Sequence, residues 1–137
     1  YPNQKERSVA KTFNALHFID LVCKKNGIAF TVGLIPTDFD LDSMYHKRIQ
    51  QAYGFSDADL KINRWFAGRV TDFCRQNSIP VYDLYNEMQH IKDTLYFPKD
   101  HHLNVKGNRV VADLMLPHFL KCSRKVSVFF NNLAALN

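Results

Sequence analysis

The sequence predicts an α/β fold built around a parallel sheet, and three observations indicate it. The apolar patterns follow the order helix, strand, helix, strand, helix, which right-handed crossovers between parallel strands produce. One short segment is apolar at almost every position, as expected for a strand that helices cover on both faces. The 137 residues are 46% hydrophobic, 13% aromatic and 23% charged, which suits one compact domain and excludes a disordered chain.

The first element is an amphipathic helix predicted from about Lys5 to Lys25. Apolar residues recur in it at intervals of three and four, and the Asn26-Gly27 that follows is a typical C-terminal stop signal. We expect its apolar stripe to pack on the core: Val9, Phe13, Leu16, Ile19 and Cys23.

The second element is a strand predicted over residues 28–35, which have almost no polar interruption. Pro36 ends it, and residues 36–42 are predicted as a loop at its carboxyl end. A solvated acidic loop at the side of a cleft is favoured over a calcium loop, because the glycine and closing glutamate of an EF-hand are missing. The acidic residues alternate in this loop: Asp38, Asp40 and Asp42.

A second helix and a second strand follow. Ser56 is placed as the N-cap, and Asp59, three residues on, can return its hydrogen bond. The helix is predicted to end at Asn77, and residues 79–83 are predicted as a short strand. The inward stripe of the helix is Phe66, Val70, Phe73 and Cys74.

The C-terminal part is predicted to be mostly helical. A brief helix is expected around Met88, followed by a loop over residues 94–101 and a last helix from about Asn104 to Cys122, which Pro117 is expected to bend. An alternating pattern then predicts an edge strand that contains Val126, Val128 and Phe130.

Two parallel strands are too few for a stable sheet, because they leave strand edges and apolar faces open to solvent. We therefore expect residues 1–120 to be the C-terminal part of a larger domain, and residues 121–137 to be a basic, apolar extension. The first residue is Tyr1 rather than Met, which fits the expectation of a processed or excised piece. The open edge is predicted to be covered by the N-terminal part of the same protein, by a second copy, or by residues 126–130.

Charge and cysteine content narrow the classes of partner. The net charge is +5, and no acidic residue follows Asp113, whereas Lys121, Arg124 and Lys125 do. Nucleic-acid binding through this basic tail is the less favoured interpretation, since such a charge usually marks a solvated surface, and we predict no nucleic-acid partner.

No stretch approaches the roughly 20 apolar residues of a membrane span. The three cysteines are widely spaced, so free thiols are predicted, with no metal and no cofactor.

The segment from Tyr96 to Asn108 carries the candidate site. Side chains two apart in an extended segment project to the same side, so Asp100 and His102 are expected to lie together while His101 points away. A carboxylate that fixes one imidazole tautomer leaves the other ring nitrogen free to take a proton from a nucleophile. The alternative is a polar surface loop.

The end of this segment is predicted to start the last helix. Asn104 can cap that helix, and Gly107, in its first turn, indicates close backbone packing.

The pattern Asp-x-His-Leu-Asn-x-x-Gly before a helix, after an aromatic-Pro stretch, resembles the last catalytic block of SGNH hydrolases, the GDSL-like esterases and O-acyltransferases. The resemblance covers roughly Val9 to Leu120 and implies a flavodoxin-like, three-layer αβα fold that is incomplete in this chain. It implies that His102 is the general base that activates a serine and that Asp100 orients it. The commonest form of this block has Asp three residues before His, where Lys99 stands in this chain. The resemblance is therefore to the branch with Asp two residues before His, which favours acylated carbohydrates as substrates.

The other motifs of that family do not occur in this chain. The resemblance places the nucleophile in a Gly-Asp-Ser block and an oxyanion donor in a Gly-x-Asn-Asp block. Asp42-Ser43 imitates the first block, but Leu41 stands in the place of glycine, and Ser43 is not expected to be the nucleophile. The resemblance therefore implies the Asp and His part of an esterase or acyltransferase that acts on small acyl esters, acetyl esters first among them, and that is inactive alone, with its serine upstream. The alternative is a non-catalytic binding or interaction module with a degenerate fold of the same type.

Overall fold

The structure, a computed structural model, describes the backbone of residues 2–98 and 100–134 and the side chains of residues 4–98 and 100–120. The elements in chain order are helix α1 (Pro2–Lys25), strand β1 (Val32–Leu34), helices α2 (Asp38–Leu41), α3 (Ser43–Tyr53), α4 (Asp57–Leu60) and α5 (Ile62–Gln76), strand β2 (Val81–Asp83), and helices α6 (Tyr85–Met88) and α7 (Val105–Ala134).

The two strands pair in parallel, which confirms the α/β class predicted from the order of the elements. The register sets Val32 opposite Val81 and Leu34 opposite Asp83. The ladder is shorter than the strand predicted over residues 28–35. The last hydrogen bond at the amino ends of the strands is the one that the Pro80 carbonyl accepts from the Val32 N–H at 2.9 Å. Pro80 has no N–H to donate, so the ladder does not extend beyond it.

Helices pack on both faces of this small sheet. Val32 and Val81 point into one cluster, which holds the buried Val70 and Cys74 and receives side chains from α1 and α5. Tyr82, on the opposite face, contacts the second cluster. The buried residues of that cluster lie directly before α6, in α6, between α6 and α7, and in α7: Leu84, Met88, Leu95 and Met115.

Several local signals are confirmed. Gly27 follows α1 with φ +65°, the left-handed conformation of a helix stop. The capping box before α4 is present, because Ser56 Oγ accepts from the Asp59 N–H at 3.2 Å and the Asp59 carboxylate accepts from the Ser56 N–H at 3.0 Å. Asn77 is the C-cap of α5.

The loop predicted over residues 36–42 is wrong, because the acidic residues there form and cap helices. Asp40 Oδ2 accepts from the Thr37 N–H at 2.9 Å, which completes a capping box for α2. Asp42 Oδ1 accepts from the N–H groups of Met44 and Tyr45 at 2.8 and 3.1 Å and so caps α3, a helix the sequence did not predict.

The edge strand predicted at Val126, Val128 and Phe130 is also wrong. Helix α7 continues through this segment to Ala134, with Pro117 inside it. A helix that is already formed gains one hydrogen bond for each residue added, whereas a strand would need a partner edge. The segment therefore does not pair with β1. Helix α7 also runs across residue 120, where the division into a domain and an extension was predicted.

One edge of β1 pairs with β2, and no strand within residues 2–98 and 100–134 pairs with the other. Helix α1 carries apolar residues that no described part of the chain covers, with Phe18 68% and Leu21 51% exposed. Leu116 and Phe119 of α7, on the other face of the sheet, are each 53% exposed. Both helical layers thus present apolar surface.

The thiols described by the structure are free. Cys74 is fully buried in α5, and this burial raises the pKa of its thiol. Cys23 is a half-buried free thiol on α1, and the side chain of Cys122 lies outside the described residues.

Candidate functional site

The predicted catalytic block lies on a closed loop after β2. Tyr96 and Leu103 form an isolated antiparallel bridge, and the Phe97 N–H donates to the His102 carbonyl at 2.8 Å. The Tyr96 hydroxyl donates to the carbonyl of Pro36, which follows β1. The loop is therefore fastened to the segment that leaves the carboxyl end of the neighbouring strand, the edge at which open α/β sheets collect their functional groups.

The start of α7 fixes the other end of the block. Asn104 Oδ1 accepts from the Gly107 N–H at 2.9 Å, and Asn104 Nδ2 donates to the Thr94 carbonyl at 2.7 Å. A Cβ at Gly107 would overlap the Leu95 carbonyl oxygen and lie 2.9 Å from Leu103 Cδ2. Both the cap and the close backbone approach are confirmed.

Asp100 and His102 lie close together, as predicted. His102 Nδ1 is 3.7 Å from Asp100 Oδ1, and the same oxygen accepts from the His102 backbone N–H at 3.1 Å. Both side chains are solvated, since 83% of the His102 side chain and 59% of the Asp100 side chain are exposed. Their electrostatic coupling in this chain is therefore weakened by water.

His101 makes the closer contacts, and the sequence did not predict them. Its Nδ1 lies 2.6 Å from Asp38 Oδ2, and the Tyr45 hydroxyl lies 3.1 Å from its Nε2. Its ring stacks on Phe39 with 5.3 Å between centroids. His101 adopts φ +60°, which turns its side chain toward α2 and α3. It does point away from the Asp100 and His102 pair, but into a cluster of aromatic and acidic groups rather than into solvent.

The hydroxyl of Tyr45 stays protonated in this cluster. Lost contact with water raises its pKa, and the negative charge of Asp38 raises it further. Asp38 and His101 are 63 residues apart in the chain, so no local pattern indicates their contact. The position of Asp38 just after the carboxyl end of β1 is the only signal that could have suggested it.

A second charged pair stands at the carboxyl end of β2. Arg64 of α5 donates to Asp83 from both terminal guanidinium nitrogens, Nη2 at 2.6 Å and Nη1 at 3.2 Å, and stacks on the Tyr85 ring at 4.2 Å. The hydrogen bonds to Asp83 raise the pKa of Arg64 above its ordinary value. The pair joins α5 to β2 and carries a structural role.

The remaining candidates stand apart from this chemistry. Ser43 is the first residue of α3 and is exposed. No group of three or more histidine, cysteine or acidic side chains among the described residues is arranged to hold a metal ion. Lys121, Arg124 and Lys125 lie in α7, and their side chains are outside the described residues. Within the described helices, none combines the length and apolarity needed to cross a membrane.

The chain was compared with models of protein families, with curated proteins and with solved structures, and none of the three comparisons returned a match.

Proposed function

We propose that this chain is the Asp- and His-bearing part of an SGNH-type serine esterase or O-acyltransferase that acts on small acyl esters, acetyl esters first among them. The observation that carries the proposal is the pair of Asp100 and His102, with 3.7 Å between carboxylate and imidazole, on a fastened loop directly before a capped helix. The sheet has helices on both faces, and its β1 edge has no strand partner within the described residues, which supports the finer expectation of an incomplete flavodoxin-like fold.

The chemistry follows from the orientation of the imidazole. Nδ1 of His102 faces Asp100, which leaves Nε2 to take the proton of a serine hydroxyl while the serine oxygen bonds to the acyl carbon. The bond to the leaving alcohol then breaks, and the proton passes from Nε2 to that alcohol. The serine and the oxyanion donors belong to family motifs that this chain lacks, and one such donor contributes about 3 to 4 kcal/mol. We therefore expect the 137 residues to be inactive alone.

The second candidate is a non-catalytic binding module with a related fold. The observation that favours it is the exposure of the pair, 83% for the His102 side chain and 59% for that of Asp100. An exposed imidazole is solvated, and its carboxylate partner orients it only weakly.

The coding sequence upstream of Tyr1 provides the first test. We expect it to encode a Gly-Asp-Ser after an apolar strand and a Gly-x-Asn-Asp further on. In the longer protein, His102→Ala should lower kcat for 4-nitrophenyl acetate by at least about a thousandfold, because the serine loses its general base. The matched control is His17→Ala, which removes an exposed histidine from α1 and should leave kcat unchanged.

Two results would overturn the proposal. One is an upstream sequence that has no serine block. The other is a His102→Ala protein that folds as the parent does, by circular dichroism, and keeps its hydrolytic rate.

A further inference from the structure

An apolar cavity of about 480 Å³ opens beside His101. It lies between α2 and α3 on one side and α4 and the start of α5 on the other. Its volume is in the range of about 300 to 1,000 Å³ that is typical of small-molecule sites. Six of its lining residues are apolar or aromatic: Phe39, Ile49, Tyr53, Phe55, Leu60 and Ile62.

Three polar side chains of the lining, Asp59, Asn63 and His101, already have partners within the chain. Asp59 Oδ2 accepts from Ser56 Oγ at 2.6 Å, and Asn63 Nδ2 donates to Thr37 Oγ1 at 3.2 Å. The ring nitrogens of His101 contact Asp38 and Tyr45. Among the residues that the structure describes, no lysine or arginine lines this cavity. A ligand anion placed inside would lose its water without gaining a cation, which is costly.

Two aromatic rings of the lining are exposed. Tyr53 is 69% exposed and Phe55 is 49% exposed, and their rings stack with 6.0 Å between centroids. Because these two rings lie together at the edge of an apolar cavity, they extend the apolar surface that a ligand can cover. They give the cavity aromatic faces on which a flat or flexible apolar group can lie.

We propose that this cavity binds the apolar part of an uncharged organic ligand, an aromatic ring or a short alkyl chain. The site is separate from the Asp100 and His102 pair, because the ring of His101 turns toward the cavity while His102 stands in solvent. The inference does not depend on the acyl-transfer proposal.

Two probes that share one skeleton test the proposal, 3-phenylpropan-1-ol and 3-phenylpropionate. Titrations of the full 137-residue chain are followed by heteronuclear NMR. We expect saturable shifts of the amide signals of α3 and of residues 55–63 with the alcohol, and binding at least about tenfold weaker with the carboxylate. Failure of the alcohol to bind, or equal binding of the two probes, would overturn the inference.

Variants locate the binding. Tyr53→Ala combined with Phe55→Ala should weaken binding of the alcohol by at least about fivefold, since the aromatic faces are lost. Both side chains are exposed, so the melting temperature should stay close to that of the parent. Phe18→Ala is the matched control, because it removes an equally exposed ring from α1. Loss of binding in the control, or its retention in the double variant, would contradict the assignment.

Discussion

At the scale of single residues, the backbone at Gly107 lies too close to Leu95 to leave space for a side chain. The Leu95 carbonyl that a side chain there would strike accepts from the Asn104 N–H at 2.9 Å, so it is held in place. This close contact between Gly107 and Leu95 sets the distance between the start of α7 and the segment that leads into the loop of Asp100 and His102.

Gly107→Ala should lower the free energy of unfolding by about 2 to 3 kcal/mol, because the cost of the overlap exceeds the roughly 1 kcal/mol that alanine gains in a helix. Gly68→Ala is the matched control. Gly68 lies in α5 with open space around its Cα, and the substitution should stabilise the protein by about 0.5 to 1 kcal/mol. Urea denaturation measures both, and an unchanged or higher stability for Gly107→Ala would contradict the close approach.

Tyr96 joins two segments through its side chain. Its hydroxyl donates to the Pro36 carbonyl, and burial, followed by the charges of Asp38 and Asp40, raises its pKa to about 12. The tyrosine therefore keeps its proton in the folded protein at pH values where an unfolded chain, with a pKa near 10.0, has lost it.

Tyr96→Phe should cost about 1 to 2 kcal/mol near neutral pH, because the Pro36 carbonyl loses its donor. The advantage of the parent over this variant should be complete below pH 10 and should shrink between pH 10 and about 12, where only the unfolded tyrosine ionises. Urea midpoints of both proteins across this interval provide the measurement. A constant difference from pH 9 to pH 12 would show that the pKa of Tyr96 is not raised.

At the scale of elements, the helix ends that the sequence predicted correctly are those that depend on interactions within a few residues. Asn26-Gly27, the Ser56 capping box and the Asn104 cap each act within a few residues, and each is present. Helix α3 was not predicted because Asp42, its N-cap, was assigned to a loop, although Tyr45, Ile49 and Tyr53 recur at the four-residue interval of a helix.

The candidate site likewise contains local contacts that the sequence could predict and long-range contacts that it could not. Asp100 and His102 are two residues apart, so their proximity is a local feature that the sequence could predict, although a turn at His101 with φ +60° creates it rather than the extended segment that was expected. The contact between His101 and Asp38 and the pairing of Arg64 with Asp83 join distant parts of the chain. Only the packing of α2 and α5 at the carboxyl edge of the sheet creates them, and that packing leaves no periodic trace in the sequence.

At the scale of the whole molecule, the described residues leave apolar surface exposed on α1 and α7 and leave the outer edges of β1 and β2 without a strand partner. Helix α1 packs Val9 into the core and presents Phe18 and Leu21 outward, so it is apolar on more than one face. A helix of that kind is usually buried on both sides. The β1 edge, which has no strand partner within the described residues, is a template for another strand between these layers.

We therefore predict that the 137-residue chain associates with itself at micromolar concentration unless the N-terminal part of the same protein covers this surface. Sedimentation velocity should show a dimer or a larger species. Phe18→Lys combined with Leu21→Lys should shift the chain toward the monomer, because both side chains are more than half exposed and their replacement removes apolar contact area without a buried charge. Gln51→Lys combined with Gln76→Lys, which adds the same charge at exposed positions on α3 and α5, is the control and should leave the association intact. A parent chain that sediments as a monomer across this range would contradict the expectation that the open edge and the apolar layers await a partner.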